Sequence, residues 1–131
     1  MAIGLLDTSV VIDWDDVDVA AALPDDAAIS AITVAELAAG PHLAPNKVES
    51  ARRQARLQQV EATFEPIAFD SMAARSYGQM VAAVAEHGRS HRRRTADLLI
   101  AATAHANGLD LYTRNPHDFA GLEHLLPVIG I

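Results

Sequence analysis

The 131-residue sequence predicts an α/β fold with a mostly parallel central sheet of four to five strands flanked by helices, and three observations carry this. Short apolar runs alternate with longer stretches of helical period, turn residues punctuate the joins, and half of the residues are apolar, enough to fill one core. Residues 2–6 (AIGLL) form the first run and end at Asp7-Thr8-Ser9, which reads as a buried strand entering a polar turn. A helix near 10–22 and a turn at Pro24-Asp25-Asp26 lead to a second buried strand, AAISAI at 27–32. A short helix at 33–39 closes at Gly40-Pro41. The charged helix at 46–63 places Val48, Ala51, Ala55 and Val60 at roughly helical spacing. PIAF at 66–69 reads as a short strand, and the helix at 70–86 carries Ala73, Tyr77, Met80 and Val84 on one face. A helix at 96–106 stops at Asn107-Gly108, LDLYT at 109–113 forms the next strand, Asn115-Pro116 opens a turn, and PVIG at 127–130 suits an edge strand. With no repeat or linker in view, residues 1–131 are expected to form one domain.

Parallel strands need crossover connections, so helices cover both faces and ligands bind beyond the carboxyl ends of the strands. Four acids fall at that edge. Asp7 ends the first strand, Glu36 follows the second, Asp118 follows LDLYT, and Asp97 opens the helix that runs back toward the same rim. Each also has a local explanation. Thr33-Val-Ala-Glu36 matches a capping box with Thr33 as N-cap, Thr95 suits the cap of the Asp97 helix, and Asn115-Pro116-His117-Asp118 matches an N-cap followed by a first-position proline. Asp7-Thr8-Ser9 suits a turn. Together the four mean more than they do singly, because like charges gathered at one cleft repel and call for cations or protons. An all-oxygen donor set suits Mg²⁺ or Mn²⁺, and such a site supports hydrolysis of a phosphodiester by metal-activated water, leaving 3′-hydroxyl and 5′-phosphate ends.

Composition narrows the classes further. The absence of cysteine excludes disulfides, thiolate metal sites and thiol nucleophiles, and no apolar run reaches membrane-spanning length. The N-terminus lacks the pattern of a secretory leader, so a cytoplasmic protein with no membrane partner is expected. A net charge of −7 opposes bulk attraction to nucleic acid. The charge is segregated, however: Arg89, Arg92, Arg93 and Arg94 crowd the stretch before Asp97, while acids crowd residues 13–26 as a solvated face. Read one way the arginine run is a solvated loop; read the other it is a phosphate rail that Arg114 joins. Few aromatic residues are present, so no stacking platform is indicated. His105 reads as structural, and His42 and His124 as surface residues.

LLDTSVVID at 5–13, TVAELAAG at 33–40, ADLLIAATA at 96–104 and LYTRNPHDF at 111–119 resemble, in order and spacing, the four acidic motifs of PIN-domain nucleases, most closely the VapC toxins of toxin–antitoxin pairs. That resemblance spans nearly the whole chain. It implies a PIN-like fold, a metal-dependent endoribonuclease, Asp7, Glu36, Asp97 and Asp118 as the metal-site acids, and Thr8 or Ser9, Thr113 and Asn115 as supporting residues. It also implies single-stranded RNA as substrate, a VapB-type antitoxin as partner, and a homodimer. A non-toxin nuclease of the same fold is the alternative. A phosphoacceptor signalling domain would also gather carboxylates at strand ends, but it needs a lysine on the last strands, and the one lysine here is Lys47 on a surface helix.

Overall fold

The protein was described as a computed structural model covering residues 3–131. Its strands are β1 (Ile3–Leu6), β2 (Asp26–Ala28), β3 (Asp110–Thr113) and β4 (Val128–Gly130), all parallel, in the order β2-β1-β3-β4. The helices are α1 (Thr8–Ile12), α2 (Val17–Ala22), α3 (Ala31–Ala39), α4 (Lys47–Thr63), α5 (Ser71–Glu86) and α6 (Thr95–Ala106). Tight helical turns lie at Gly40–Leu43, Arg92–Arg94 and Pro116–Phe119.

Alternation along the strands divides the core in two. Leu5 and Leu111 point to one face, where they meet Met80 and Val84 of α5 and Leu98 and Ala101 of α6. Leu6 and Tyr112 point to the other, where they meet Val10, Val19, Leu37 and Val60. Strands covered on both faces must be apolar on both sides, which explains the continuous runs in the sequence. Gly4 is required at the centre of β1, since a Cβ there would collide with the Tyr112 ring. Gly108 turns the chain from α6 into β3 at φ +65°, a conformation that disfavours a side chain.

Several expectations are corrected. The helix expected over 10–22 is two helices, because the Asp16 side chain accepts from the Asp18 and Val19 amides and starts α2 afresh. The strand expected at 27–32 ends at Ala28, because Ser30 caps α3 by accepting from the Thr33 amide at 3.1 Å. The PIAF strand at 66–69 shrinks to a single bridge, Ser30 to Ile67. Pro66 has no N–H to donate, and Asp70 already caps α5, leaving no length for a ladder. Of the four positions expected at helical spacing on α4, Val60 is buried, whereas Val48 is 78% exposed and Ala51 and Ala55 are exposed; Leu57 is buried beside Val60 instead. The N-terminal half of this helix rests on backbone carbonyls of the Gly40–Leu43 turn, so Ser50 and Arg53 face inward and donate to Pro41 and Gly40. On α5 the expected face holds, with Ala73, Met80 and Val84 buried and Tyr77 packed against that core. His105 is structural as expected, hydrogen-bonded through Nδ1 to Ser76 at 2.9 Å.

Candidate active site

The carboxyl edge of the sheet gathers all four acids. Asp7 follows β1 directly, and its amide donates to the Tyr112 carbonyl at 2.8 Å, so it sits as one more rung of the ladder. Asp7 occupies the N-cap position of α1 without capping it by side chain. Its carboxylate is instead buried, 4% exposed, and Oδ2 accepts from Ser9 Oγ at 2.7 Å and from Thr113 Oγ1 at 2.9 Å. Thr113 ends β3 and is itself fully buried. Its hydroxyl oxygen accepts from the Asn115 amide at 3.0 Å, while Ser9 Oγ accepts from the Arg114 amide at 3.1 Å. One acid therefore stands on a small network in which every hydroxyl has a fixed job.

Glu36 arrives from α3, and the capping-box expectation for it fails. Ser30, not Thr33, is the N-cap, and Glu36 Oε1 accepts from Thr8 Oγ1 at 2.7 Å instead of reaching back along its own helix. Thr33 is buried and its hydroxyl lies 3.0 Å from Thr8 Oγ1. A second cap expectation also fails: Arg94 holds the N-cap position of α6, and the Thr95 hydroxyl donates back to the Arg92 carbonyl at 3.2 Å. Asn115 and Pro116 do begin a turn as expected, though without a cap bond from the Asn115 side chain.

Asp97 lies half-buried in the first turn of α6, and it alone of the four acids has no hydrogen-bond donor among the described residues. Burial first, and then the charges of Asp7, Asp118 and Glu36, raise its carboxyl to about 6 against the opposing charge of Arg94. Asp118 is half-buried, and its Oδ1 accepts from Arg94 Nη1 at 2.8 Å, while Glu36 is the exposed member of the four.

The donor set is all oxygen, and the mutual charge of the acids favours a bound cation, so the residues present fit a hard divalent ion. Among the described residues no three such side chains converge closely enough to enclose one. The hydrogen bonds explain this openness: Glu36 is turned toward Thr8 and Asp118 toward Arg94.

Of the expected rail, Arg94 is drawn into the acidic centre and Arg114 pairs with Asp13 at 3.0 Å, while Arg92 and Arg93 are exposed and Arg89 is half-buried. Asp13, read from the sequence as part of a solvated face, thus has a specific partner. Two hollows flank the centre. One, of about 490 Å³, is lined by Ser9, Ile12, Asp13, Arg114 and Asn115. The other, of about 450 Å³, lies beside Thr8 and Glu36 and is walled by Arg53 and Arg56 of α4. These two arginines were missed, since a charged helix reads as a solvated one; the only signal is their three-residue spacing, which puts both on one side.

Comparison with known proteins gives a consistent answer. The PIN domain family model matches residues 4–124. Ribonuclease VapC5 of Mycobacterium tuberculosis is 38% identical over 125 residues, covering 93% of this chain and 89% of that one. A crystal structure of VapBC-5, a member of the VapBC family of toxin–antitoxin systems from the same organism, superposes with a TM-score of 0.86 at 36% identity, with full coverage of both chains. FitAcB from Neisseria gonorrhoeae superposes with a TM-score of 0.77 at 32% identity, covering 97% of this chain and 96% of that one.

Proposed function

The chain belongs to the PIN-domain family, and we propose on that basis that it is the toxin of a toxin–antitoxin pair, an endoribonuclease that hydrolyses single-stranded RNA with the help of Mg²⁺ or Mn²⁺. The observation that carries the reading is the gathering of four acids at the carboxyl edge of the sheet, where Asp97 stands half-buried, with no hydrogen-bond donor among the described residues and with Asp7, Asp118 and Glu36 near enough for their charges to raise its carboxyl. A helix-capping acid gains from its dipole; one crowded by like charges is out of place until a cation joins it. Asp7 and Asp97 would hold the ion, with Glu36 and Asp118 completing its surroundings. When bound, the ion would lower the pKa of a water molecule and neutralise charge at the phosphate.

The remaining work falls to the protein. Ser9 and Thr113 hold Asp7 by one oxygen, Oδ2, which leaves Oδ1 without a hydrogen-bond partner among the described residues. Thr8 restrains Glu36, and Arg94 balances Asp118. The N-terminus of α6 opens at the same rim and contributes partial positive charge toward a phosphate. The relatives that share this fold include a ribonuclease and a toxin–antitoxin complex, which supports an RNA substrate and an antitoxin partner here.

Purified protein is expected to cut single-stranded RNA in Mg²⁺ or Mn²⁺, to leave 5′-phosphate ends, and to stop on chelation. Cleavage undiminished by EDTA would end the metal-site reading. Co-expression with an adjacent short reading frame separates toxin from other nucleases: relief of growth arrest and a stable complex are expected, and their absence removes the toxin assignment while leaving the nuclease.

A further inference from the structure

The hollow on the Glu36 side has a construction that the acids do not account for. Thr8 and Glu36 form its end nearest the acidic centre, Ile12 and Leu37 give it an apolar wall, and Arg53 and Arg56 close the far side. The two arginines are not equivalent. Arg53 is committed, donating from Nε to Glu49 at 2.9 Å and from Nη1 to the Gly40 carbonyl at 3.0 Å. Glu49, the other acid of this wall, is also approached by Arg52 at 3.5 Å. Its carboxyl is held below the usual range by the Arg53 hydrogen bond and by the charges of Arg52, Arg53 and Arg56. Arg56 is half-buried and makes no ion pair among the described residues. It also borders a neighbouring hollow of about 260 Å³ beside Trp14 and Gln59.

We infer that this hollow is a nucleotide subsite of the RNA cleft, in which Arg56 takes a backbone phosphate beside the one that is cut and Ile12 with Leu37 takes the attached base. The inference rests on the nuclease reading. Its size, about 450 Å³, is that of a site for a small organic ligand, and its lining joins a free planar cation to a short apolar wall. A partner helix would need apolar anchors repeated over successive turns, and two side chains do not supply them. Ile12 is 42% exposed and gives the hollow its accessible apolar surface, whereas Leu37 is 6% exposed and contributes only its edge. Arg114, which pairs with Asp13, lines the other hollow, and the two hollows share Ile12, so an RNA strand passing the acids would meet basic groups in both.

The experiment measures cleavage of fluorescent single-stranded RNA oligomers in Mg²⁺, together with their binding to metal-free protein across a salt series. Arg56→Gln is expected to raise KM by about tenfold, acting through binding more than through kcat. The slope of log affinity against log salt should become shallower by about 0.7, the contribution of one phosphate contact. Arg56→Lys should recover most of that slope, which a purely structural arginine would not. Ile12→Ser, at an exposed position, should raise KM without altering the slope. Wild-type KM and slope in Arg56→Gln would overturn the subsite while cleavage by the wild type left the nuclease reading in place. A wild-type protein that cleaves no RNA in either metal would remove both. An Arg56→Gln variant normal toward RNA but unable to bind its co-expressed antitoxin would assign the hollow to the protein partner and overturn the proposal.

Discussion

Arg94 donates a 2.8 Å hydrogen bond to Asp118 across 24 residues of chain, and the charge of the same guanidinium lowers the Asp97 carboxyl. A residue grouped by sequence with a run of solvated arginines is thereby part of the acidic centre.

Replacing Arg94 with Gln removes the charge that opposes the acids, so the Asp97 carboxyl should rise above its present value of about 6. On the proposed metal-site reading cleavage requires that group ionised, and the acid limb of the pH–rate profile should move to higher pH in the variant. Raising Mg²⁺ should move the limb back toward lower pH in both proteins. A limb that stays in place, or moves down, would show that the arginine acts on Asp118 alone.

Stability of the metal-free protein should carry the same signature with a defined sign. Folded Asp97 keeps its proton up to about pH 6, whereas an unfolded aspartate releases it near 3.8. Between those values the folded state binds more protons, so this group's contribution falls as pH rises and is lowest above pH 6. Asp97→Asn should flatten that slope, melt no lower than wild type at pH 7 without metal, and abolish cleavage; with Mg²⁺ only the wild type should gain. Were Asp97 merely a dipole partner of α6, the variant would instead lose on the order of 0.3–1 kcal/mol and still cut RNA.

Thr113→Val keeps shape and removes the buried hydroxyl that donates to Asp7 Oδ2 and accepts from the Asn115 amide. Urea unfolding should show a loss of about 1–3 kcal/mol, because polar groups are left unsatisfied in the interior. Activity should fall as well, since Asp7 would then be held by Ser9 alone. Stability and rate both at wild-type levels would mean the network does not position Asp7.

Arg92 and Arg93 are exposed, unlike the paired Arg94. Changing both to Gln should leave melting within about 0.5 kcal/mol of wild type. RNA affinity should become less salt-dependent, by about 0.7 in log–log slope for each phosphate contact removed. An unchanged slope would return this pair to an ordinary solvated turn.

The chain order of apolar runs and helical stretches was enough to specify a parallel sheet with helices on both faces, and the positions of Asp7, Glu36, Asp97 and Asp118 relative to strand ends placed all four at one rim. Those properties are legible because alternation, turn residues and strand direction are local or follow from connectivity. What each acid does there was not legible. A threonine three residues before a glutamate looks like a cap, yet Ser30 takes the cap and Thr33 turns inward toward Thr8. Only the packing of α1 against α3 brings Thr8 to Glu36, and only the pairing of β1 with β3 brings Thr113 to Asp7, 106 residues away. The face of α4 was misread for the same reason: its environment is partly a turn rich in carbonyls, so arginine and serine point inward where an apolar period was sought. Hydrogen bonds and like-charge repulsion depend on distances of a few ångströms between residues far apart in sequence, and those distances are set by tertiary structure alone.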